Sequence, residues 1–391
     1  MTPEELSKII KNCLESLISA QKLQVDQIPE IKIERPKSKD HGDFASNIAL
    51  AVSKAAGKSP RDVAQILSEE LLKEKKFKKI DIAGPGFLNF TLDTASLAEI
   101  AQTIVKRKEK YGHTDNLKNQ VINVEFISAN PTGPLHLGHT RWAAVGDAIA
   151  RVLQASGAKV IREFYVNDRG SQLDKFGESI WAAANNQAIP EDGYHGSYIK
   201  DLANSIVSEK PEIIKLSKEE QLIEFREEGY KKQLKQQQDV LDNFKTHFDV
   251  WYSERSLHSS GAVEKGLAKL REHGHVFEKD GAIWLRTTDF FDDKDRVLVK
   301  ADGEYTYFAS DTAYYVDKRN RGYDVNIYLL GADHHGYVNR LRAVAACAGD
   351  NPDKNIEVLI GQLVKMFKNG QEVRLSKRAG NMITLEDLDR K

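Results

Sequence analysis

Residues 121–155, VINVEFISANPTGPLHLGHTRWAAVGDAIARVLQA, leave the chain little choice of local structure. VINVEFIS is short, β-branched and mostly apolar, as a strand buried on both faces of a parallel sheet should be. ANPTGP packs two prolines and a glycine into a loop. From Leu137 onward, Leu137, Trp142, Val145, Ala148, Ile149 and Val152 recur near the helical period, and Gly157 stands where a C-terminal cap belongs. The stretch therefore predicts strand, loop and helix in that order. The helix begins at His136-Leu137-Gly138-His139.

That junction suits phosphate chemistry. A helix N-terminus offers unpaired N–H groups and a positive dipole end. His136 and His139, three residues apart, share a helical face. Two imidazoles there can donate hydrogen bonds to a phosphoryl group as charge develops on it. Gly138, lacking a Cβ, lets a flat base or sugar approach the backbone. The plainer alternative is two surface histidines capping a helix, and for an isolated His-x-x-His it would be preferred.

The rest of the chain supplies a frame. Residues 1–115 read as a small α+β module. Leu6, Ile9, Ile10, Cys13, Leu14 and Leu17 have helical spacing, Ser59-Pro60 is a helix start, and KKIDIAGPGFLNFTL is strand-like. After the histidine helix, AKVIREFYVND reads as a second parallel strand, closing a βαβ unit, with Asn167 and Asp168 as turn formers. Residues 185–284 are charge-rich and helical, as a solvated connector would be. A Lys-Asp-Gly hairpin turn follows near Gly281, and Asp292, Asp293 and Asp295 are expected to face solvent. NIYLLGA and EVLIGQLVKMF read as strands of a second half. Residues 116–391 thus predict an α/β, doubly wound parallel sheet with a helical insertion, its ligand site at the carboxyl ends of the strands.

Composition narrows the class. With 57 Lys+Arg against 58 Asp+Glu, no broad basic surface announces a nucleic-acid binder, so such a contact must be local. Basic clusters occur at residues 73–79 and 106–110; as sequence alone, such runs are usually solvated faces. Two cysteines, Cys13 and Cys347, fit a reducing compartment. No run of about 18 apolar residues is present, and the N-terminus is acidic and amphipathic, so a soluble cytoplasmic protein without membrane contact is expected. Adjacent Asp333, His334 and His335 would point to opposite faces of a strand, which argues against a shared metal.

ANPTGPLHLGH resembles the HIGH signature of class I aminoacyl-tRNA synthetases, and VEFISANPTGPLHLGHTR resembles the arginyl-tRNA synthetases in particular. Arg374-Leu375-Ser376-Lys377, well over 200 residues later, resembles the KMSK signature, with arginine in place of the first lysine and the second kept as Lys377. The 374–380 segment would form that mobile loop. GDFASNIAL from Gly42 and AGPGFLNF from Ala83 resemble the family's N-terminal domain, which implies that the first module contacts the tRNA elbow. YVNDRGSQ from Tyr165 also matches.

The resemblance implies activation of L-arginine by ATP with Mg2+, then transfer to the 2′-hydroxyl of the terminal adenosine of tRNA(Arg). No protein-bound metal is implied, and a monomer is expected. His136, His139 and Lys377 would be catalytic, acting on the α-phosphoryl group and the departing pyrophosphate. Gly138, Arg374 and Ser376 would complete the ATP site. Matching positions for the arginine site are Glu125, Ser128, Asn130, Tyr307 and Asp311, with Asp333 and His334 on the opposite wall. Taken without the resemblance, Tyr307 and Asp311 would be a solvated helix face and Glu125 one half of an internal ion pair. The family usually continues into a helical anticodon-binding domain after this point, so a fragment with weak tRNA charging is expected. Two other classes stay open. A different HIGH-superfamily nucleotidyltransferase would lack the N-terminal module and the Glu125/Tyr307/Asp311 set. A non-catalytic tRNA-binding fragment would bind tRNA but neither ATP nor arginine.

Overall fold

The computed structural model describes residues 1–290, 292–332, 336–362, 366–368, 371–373 and 383–389. The chain forms two compact units, Met1–Gly112 and His113–Lys391.

In the first unit, α1 (Pro3–Ser19) opens with a capping box. Thr2 Oγ1 accepts from the Glu5 N–H at 3.2 Å and the Thr2 N–H donates to Glu5 Oε2 at 2.8 Å. Its buried stripe is Leu6, Ile10, Cys13, Leu14 and Leu17. Strands β1 (Ile33–Glu34) and β2 (Phe44–Ser46), helices α2 (Ile48–Ser53) and α3 (Pro60–Leu71), and strands β3 (Phe77–Ala83) and β4 (Phe87–Leu92) follow, then α4 (Thr94–Arg107). The strands make an antiparallel sheet ordered β1-β2-β4-β3, and Phe44, Phe77, Leu88 and Phe90 close the core against α1–α3. α3 starts as its sequence demands, with Ser59 Oγ accepting from the Asp62 N–H at 3.1 Å and Pro60 at the first position.

The second unit is a five-stranded parallel sheet with helices on its faces. Chain order runs β5 (Val121–Glu125), α5 (Leu137–Ala155), β6 (Lys159–Val166), α6 (Ser171–Ala184), α7 (Ser197–Glu209), α8 (Lys218–Asn243) and β7 (Val250–Ser253). Then come α9 (Glu254–Ser259), α10 (Ala262–Glu272), a three-stranded antiparallel sheet of β8 (Val276–Lys279), β9 (Ala282–Leu285) and β10 (Arg296–Val299), α11 (Tyr307–Asn320), β11 (Val325–Gly331), α12 (Tyr337–Cys347) and β12 (Ile356–Gly361). A hairpin of β13 (Met366–Lys368) and β14 (Gln371–Val373) and a short α13 (Leu385–Asp389) end the described chain. Strand order is β12-β11-β5-β6-β7, so the chain winds outward from β5 on one side and returns on the other, between β5 and β11. That reversal is where a doubly wound sheet leaves a crevice.

Three details differ from expectation. Within 185–284, Val250–Ser253 is the edge strand of the main sheet rather than part of a helical connector, paired with β6 from Glu163↔Val250 to Val166↔Ser253. Four residues between two helices are too few to show an alternation. Along α5, Val145 and Val152 are exposed, and the inward stripe is Ala143, Gly146 and Ala150. Gly146 lies on the Phe126 ring, where a Cβ would come within 2.3 Å of it. Close approach to the sheet therefore selects small residues over large ones. Finally, Asp292 is buried, with its carboxylate gripping the Arg296 guanidinium at 2.9 and 2.8 Å. Asp295 accepts from Thr288, and Asp293 also pairs with Arg296.

Cys13 and Cys347 are buried free thiols whose pKa values burial pushes up to about 12. No helix among the described residues is long and apolar enough to cross a membrane.

Candidate active site

The site starts where β5 ends. Beyond Glu125 the backbone leaves the sheet through two consecutive non-glycine residues in the left-handed region, Ile127 (φ 69°) and Ser128 (φ 45°). A β-branched residue there is strained and persists only where its surroundings fix it. Ser128 supplies part of that constraint. Its hydroxyl donates to Glu125 Oε1 at 3.2 Å and accepts from the Tyr165 N–H at 3.1 Å, tying β5 to β6. α7 and α8 supply the rest. The fully buried Gln237 amide donates to the carbonyls of Gly133 at 2.8 Å and Asn130 at 3.2 Å, and the Tyr198 hydroxyl donates to the Thr132 carbonyl at 2.9 Å. The Asn130 side chain donates to Gln172 at 2.6 Å. The two helices therefore buttress the loop as well as covering the sheet.

α5 begins at His136, and the two histidines build its cap. His136 Nδ1 accepts from the Gly138 N–H at 3.1 Å, and His139 Nδ1 accepts from the His136 N–H at 3.0 Å. The ring centroids are 3.9 Å apart. With both Nδ1 atoms accepting, each neutral imidazole carries its proton on Nε2. The pair thus brings two Nε2–H donors, on rings tilted 35° to one another, to a helix N-terminus. Gly138 makes the cap possible, since a Cβ there would lie 2.8 Å from His136 Cε1.

The far end of the chain returns to this cap. The Leu137 N–H donates to the Ile383 carbonyl at 3.1 Å and the Leu385 N–H to the Leu135 carbonyl at 2.8 Å, with His136 opposite Thr384 in an antiparallel bridge. Leu385 is buried with Leu135 and Ala143. Arg141 donates to the Gln362 carbonyl at 2.8 Å, and Trp142 packs over Gly361 at the end of β12. Arg374, Ser376 and Lys377 lie outside the described residues, as do Asp333 and His334. The chain that follows 374–382, however, is stitched to the histidine loop.

At the end of β5, a cavity of about 200 Å³ is lined by Glu125, Tyr165, Asp311, Tyr314, Tyr328, Leu330, Tyr337 and Leu341. Two carboxylates and four tyrosines thus face one small space. The Tyr337 hydroxyl donates to Asp311 Oδ2 at 2.9 Å. Beneath lies a buried ionic ladder. Lys318 Nζ, fully buried, lies 2.6 Å from Glu125 Oε2 and 2.8 Å from Asn123 Oδ1, and over the rings of Tyr314 and Tyr328 at 4.6 and 4.1 Å. Arg321 grips Glu163 at 2.8 and 2.9 Å, and the Tyr314 hydroxyl lies 2.9 Å from Glu125 and 2.5 Å from Glu163. Burial opposes ionisation of Glu163, but the charge of Lys318 and the bonds from Arg321 outweigh it and hold the carboxyl below its usual range. Burial, reinforced by these carboxylates, keeps Tyr314 and Tyr328 protonated far above the ordinary tyrosine range. Glu125 is therefore both an internal ion-pair member and a cavity wall, so the two readings of its sequence position are compatible.

Tyr307 departs from the expected set. Its side chain is 79% exposed and lines a separate cleft with Arg169, Glu254, Thr306 and Ser310. It lies at the first position of α11, one turn before Asp311, and is not among the residues that line the tyrosine-walled cavity. Asp168 is the buried scaffold its turn position suggests. Its carboxylate accepts from Ser253 at 2.6 Å, Tyr230 at 3.1 Å and the Arg255 N–H at 3.0 Å. Tyr165, Tyr314, Tyr328, Tyr337 and Lys318 escape a sequence reading. Their one signal is polar or aromatic residues at inward positions of otherwise apolar elements. Among the described residues, no group of three or more His, Cys, Asp or Glu side chains is arranged to hold a metal ion.

Comparison with known proteins fits this geometry. The family described as "Arginyl tRNA synthetase N terminal domain" matches residues 4–92, and "tRNA synthetases class I (R), catalytic domain" matches residues 99–390. The arginine–tRNA ligase of Renibacterium salmoninarum is 55% identical over 391 residues, covering 99% of this chain and 70% of its own length. That of Paenarthrobacter aurescens is 52% identical with the same coverage. The solved arginyl-tRNA synthetase of Thermus thermophilus shares the fold at TM-score 0.70 and 23% identity, over 93% of this chain and 66% of that one. Matched along both units by family and by close relatives, the chain belongs to the arginyl-tRNA synthetases of class I.

Proposed function

We propose that this chain activates L-arginine with ATP and passes the arginyl group to tRNA(Arg). The observation that carries the reading is a juxtaposition. Glu125, the last residue of β5, walls a cavity with two carboxylates and aromatic sides, and the loop that follows it, tied back to Glu125 through Ser128, leads to a helix start capped by two imidazoles. Asp311 and Glu125 take the guanidinium, whose planar fork suits carboxylate oxygens and whose faces suit the tyrosine rings. Ser128 and Asn130 lie on the loop toward the α-amino and carboxylate groups. The arginine carboxylate attacks the α-phosphorus of ATP, and pyrophosphate leaves.

This in-line displacement needs no protein nucleophile, so the catalytic gain comes from positioning and charge stabilisation. The Nε2–H groups of His136 and His139 meet the charge that grows on the α-phosphoryl oxygens, and Gly138 borders the nucleotide. Lys377, assisted by Arg374 and Ser376, holds the departing pyrophosphate. Asp333 and His334 belong to the arginine-binding set, as does Tyr307. Mg2+ arrives with ATP as part of the substrate, bound largely by phosphate oxygens. The first unit docks the tRNA through its basic clusters at residues 73–79 and 106–110, and the enzyme works in the cytoplasm as a monomer.

Amino-acid-dependent ATP–pyrophosphate exchange, run with and without tRNA(Arg), tests the reading. Exchange that depends on arginine supports it, and exchange driven equally by another amino acid overturns it.

A further inference from the structure

Within the proposed arginine site, on which this inference rests, we infer that Lys318 is a positioning residue that sets the preference for a guanidinium over an ammonium. Lys318 does not line the cavity. It lies beneath the cavity, fully buried, and acts through Glu125.

A carboxylate oxygen has room for about two hydrogen bonds. The Lys318 ammonium lies 2.6 Å from Glu125 Oε2, while the Tyr314 hydroxyl at 2.9 Å has one proton to share between that oxygen and the nearer Glu163 Oε1 at 2.5 Å. The ammonium is therefore the main partner of Oε2. Oε1 receives the Ser128 hydroxyl at 3.2 Å, a longer and weaker contact. Glu125 thus offers a ligand one oxygen edge, and the substrate cation must be read jointly by that edge and by Asp311 on the facing helix. A planar fork with several fixed donors can address two acceptors on separate residues. A compact ammonium gains most by sitting on a single fully available carboxylate, and Lys318 already occupies that place. The native lysine therefore works as a resident competitor that excludes a second ammonium from Glu125.

The ion pairs agree. Lys318 is paired with Glu125 as Arg321 is with Glu163, so the ammonium belongs to a closed ladder beneath the cavity. Lys318 is fixed from several sides, by Asn123 Oδ1 at 2.8 Å and by the faces of Tyr314 and Tyr328, so it cannot swing away when a substrate enters. Both rings also line the cavity, so the ammonium braces its aromatic walls as well.

The test is calorimetric binding of arginine, lysine and ATP to the full chain and to Lys318→Met, Asn123→Asp and Asp311→Asn. Lys318→Met frees Glu125 Oε2, and the expected result is a fall of about tenfold or more in the arginine-to-lysine affinity ratio, the size of one charged contact, with ATP affinity retained. A folded Lys318→Met protein with an unchanged ratio overturns the inference. If that variant lacks a cooperative thermal transition, Asn123→Asp carries the test. It keeps the side-chain volume, replaces the amide donor that Glu163 Oε2 receives at 2.8 Å, and sets a second carboxylate oxygen against the same ammonium, so the ratio should fall in the same direction. An unchanged ratio there overturns the inference as well. Asp311→Asn separates the two levels. If it leaves arginine binding intact, the arginine site itself is misassigned. If it weakens arginine while the Lys318 and Asn123 variants keep the ratio, only the inference fails.

Discussion

His136 and His139 together cap the start of one helix, His136 Nδ1 accepting from the Gly138 N–H at 3.1 Å and His139 Nδ1 from the His136 N–H at 3.0 Å. Stability and chemistry are separable at this pair. His136→Asn keeps an acceptor at the cap position, which asparagine fills as well as any residue, but removes the Nε2–H donor. The variant should unfold close to the wild type while the arginine-activation rate falls by roughly 10²–10³, as when one oxyanion donor is lost. His139→Ala should lose a similar factor in rate. Thermal unfolding and pyrophosphate exchange, measured side by side, check both. Near-normal activation by either variant contradicts the assigned role.

Asp311→Asn keeps the shape of the cavity and removes one carboxylate charge from its wall. A hydrogen bond to a charged group is worth about 1.5–3 kcal/mol, so arginine should bind about 10–150-fold more weakly. ATP affinity should stay within about twofold of wild type, since a charge removed at one subsite acts mainly on the group that touches it. Titration of each substrate alone gives both values.

Much of this was legible in the chain, and the reasons differ by residue. The strand, loop and helix at 121–155 could be read because proline and glycine punctuate them and because the histidines fall at one helix start. Ser59-Pro60 and Leu6-Ile10-Leu14-Leu17 likewise state their elements locally. Lys318 and Arg321 were not legible. In DKRNRG they look like the solvated end of a helix, and only packing of α11 against β5 and β6 brings them to Glu125 and Glu163. Gln237 and Tyr198 were hidden for the same reason, since their partners are backbone carbonyls more than 60 residues away. Tyr307 shows the reverse case. Spacing puts it on one helical face with Asp311, yet the helix start leaves its ring in solvent.

Gly146 tests the packing that holds the loop. Alanine is favoured over glycine inside a helix by about 1 kcal/mol, but here the new Cβ would stand 2.3 Å from the buried Phe126 ring. Overpacking of this kind costs about 1–3 kcal/mol and should win. Gly146→Ala should therefore destabilise the protein in denaturant unfolding. Because Phe126 directly precedes the strained Ile127-Ser128 pair, activation should fall with it.

Asp292 predicts an acid-dependent term. Burial raises its carboxyl pKa, but the Arg296 bonds and the Asp293 N–H outweigh that and bring it down to about 2 from 3.8. A carboxyl with a depressed folded-state pKa stabilises above its unfolded value and loses that contribution as pH falls through the folded one. Wild type should therefore exceed Asp292→Asn in stability by about 2 kcal/mol at pH 7. The difference should narrow as pH drops from about 4 toward 2. Urea unfolding of both proteins across that range checks the sign.

The most direct measurement of the whole account is a crystal structure of the protein bound to a non-hydrolysable arginyl-adenylate analogue. The guanidinium should lie within hydrogen-bond distance of both Asp311 and Glu125, and the group replacing the α-phosphate should face Nε2 of His136 and His139. An analogue bound with its guanidinium in solvent, or with its phosphate mimic away from the histidine cap, would contradict the account.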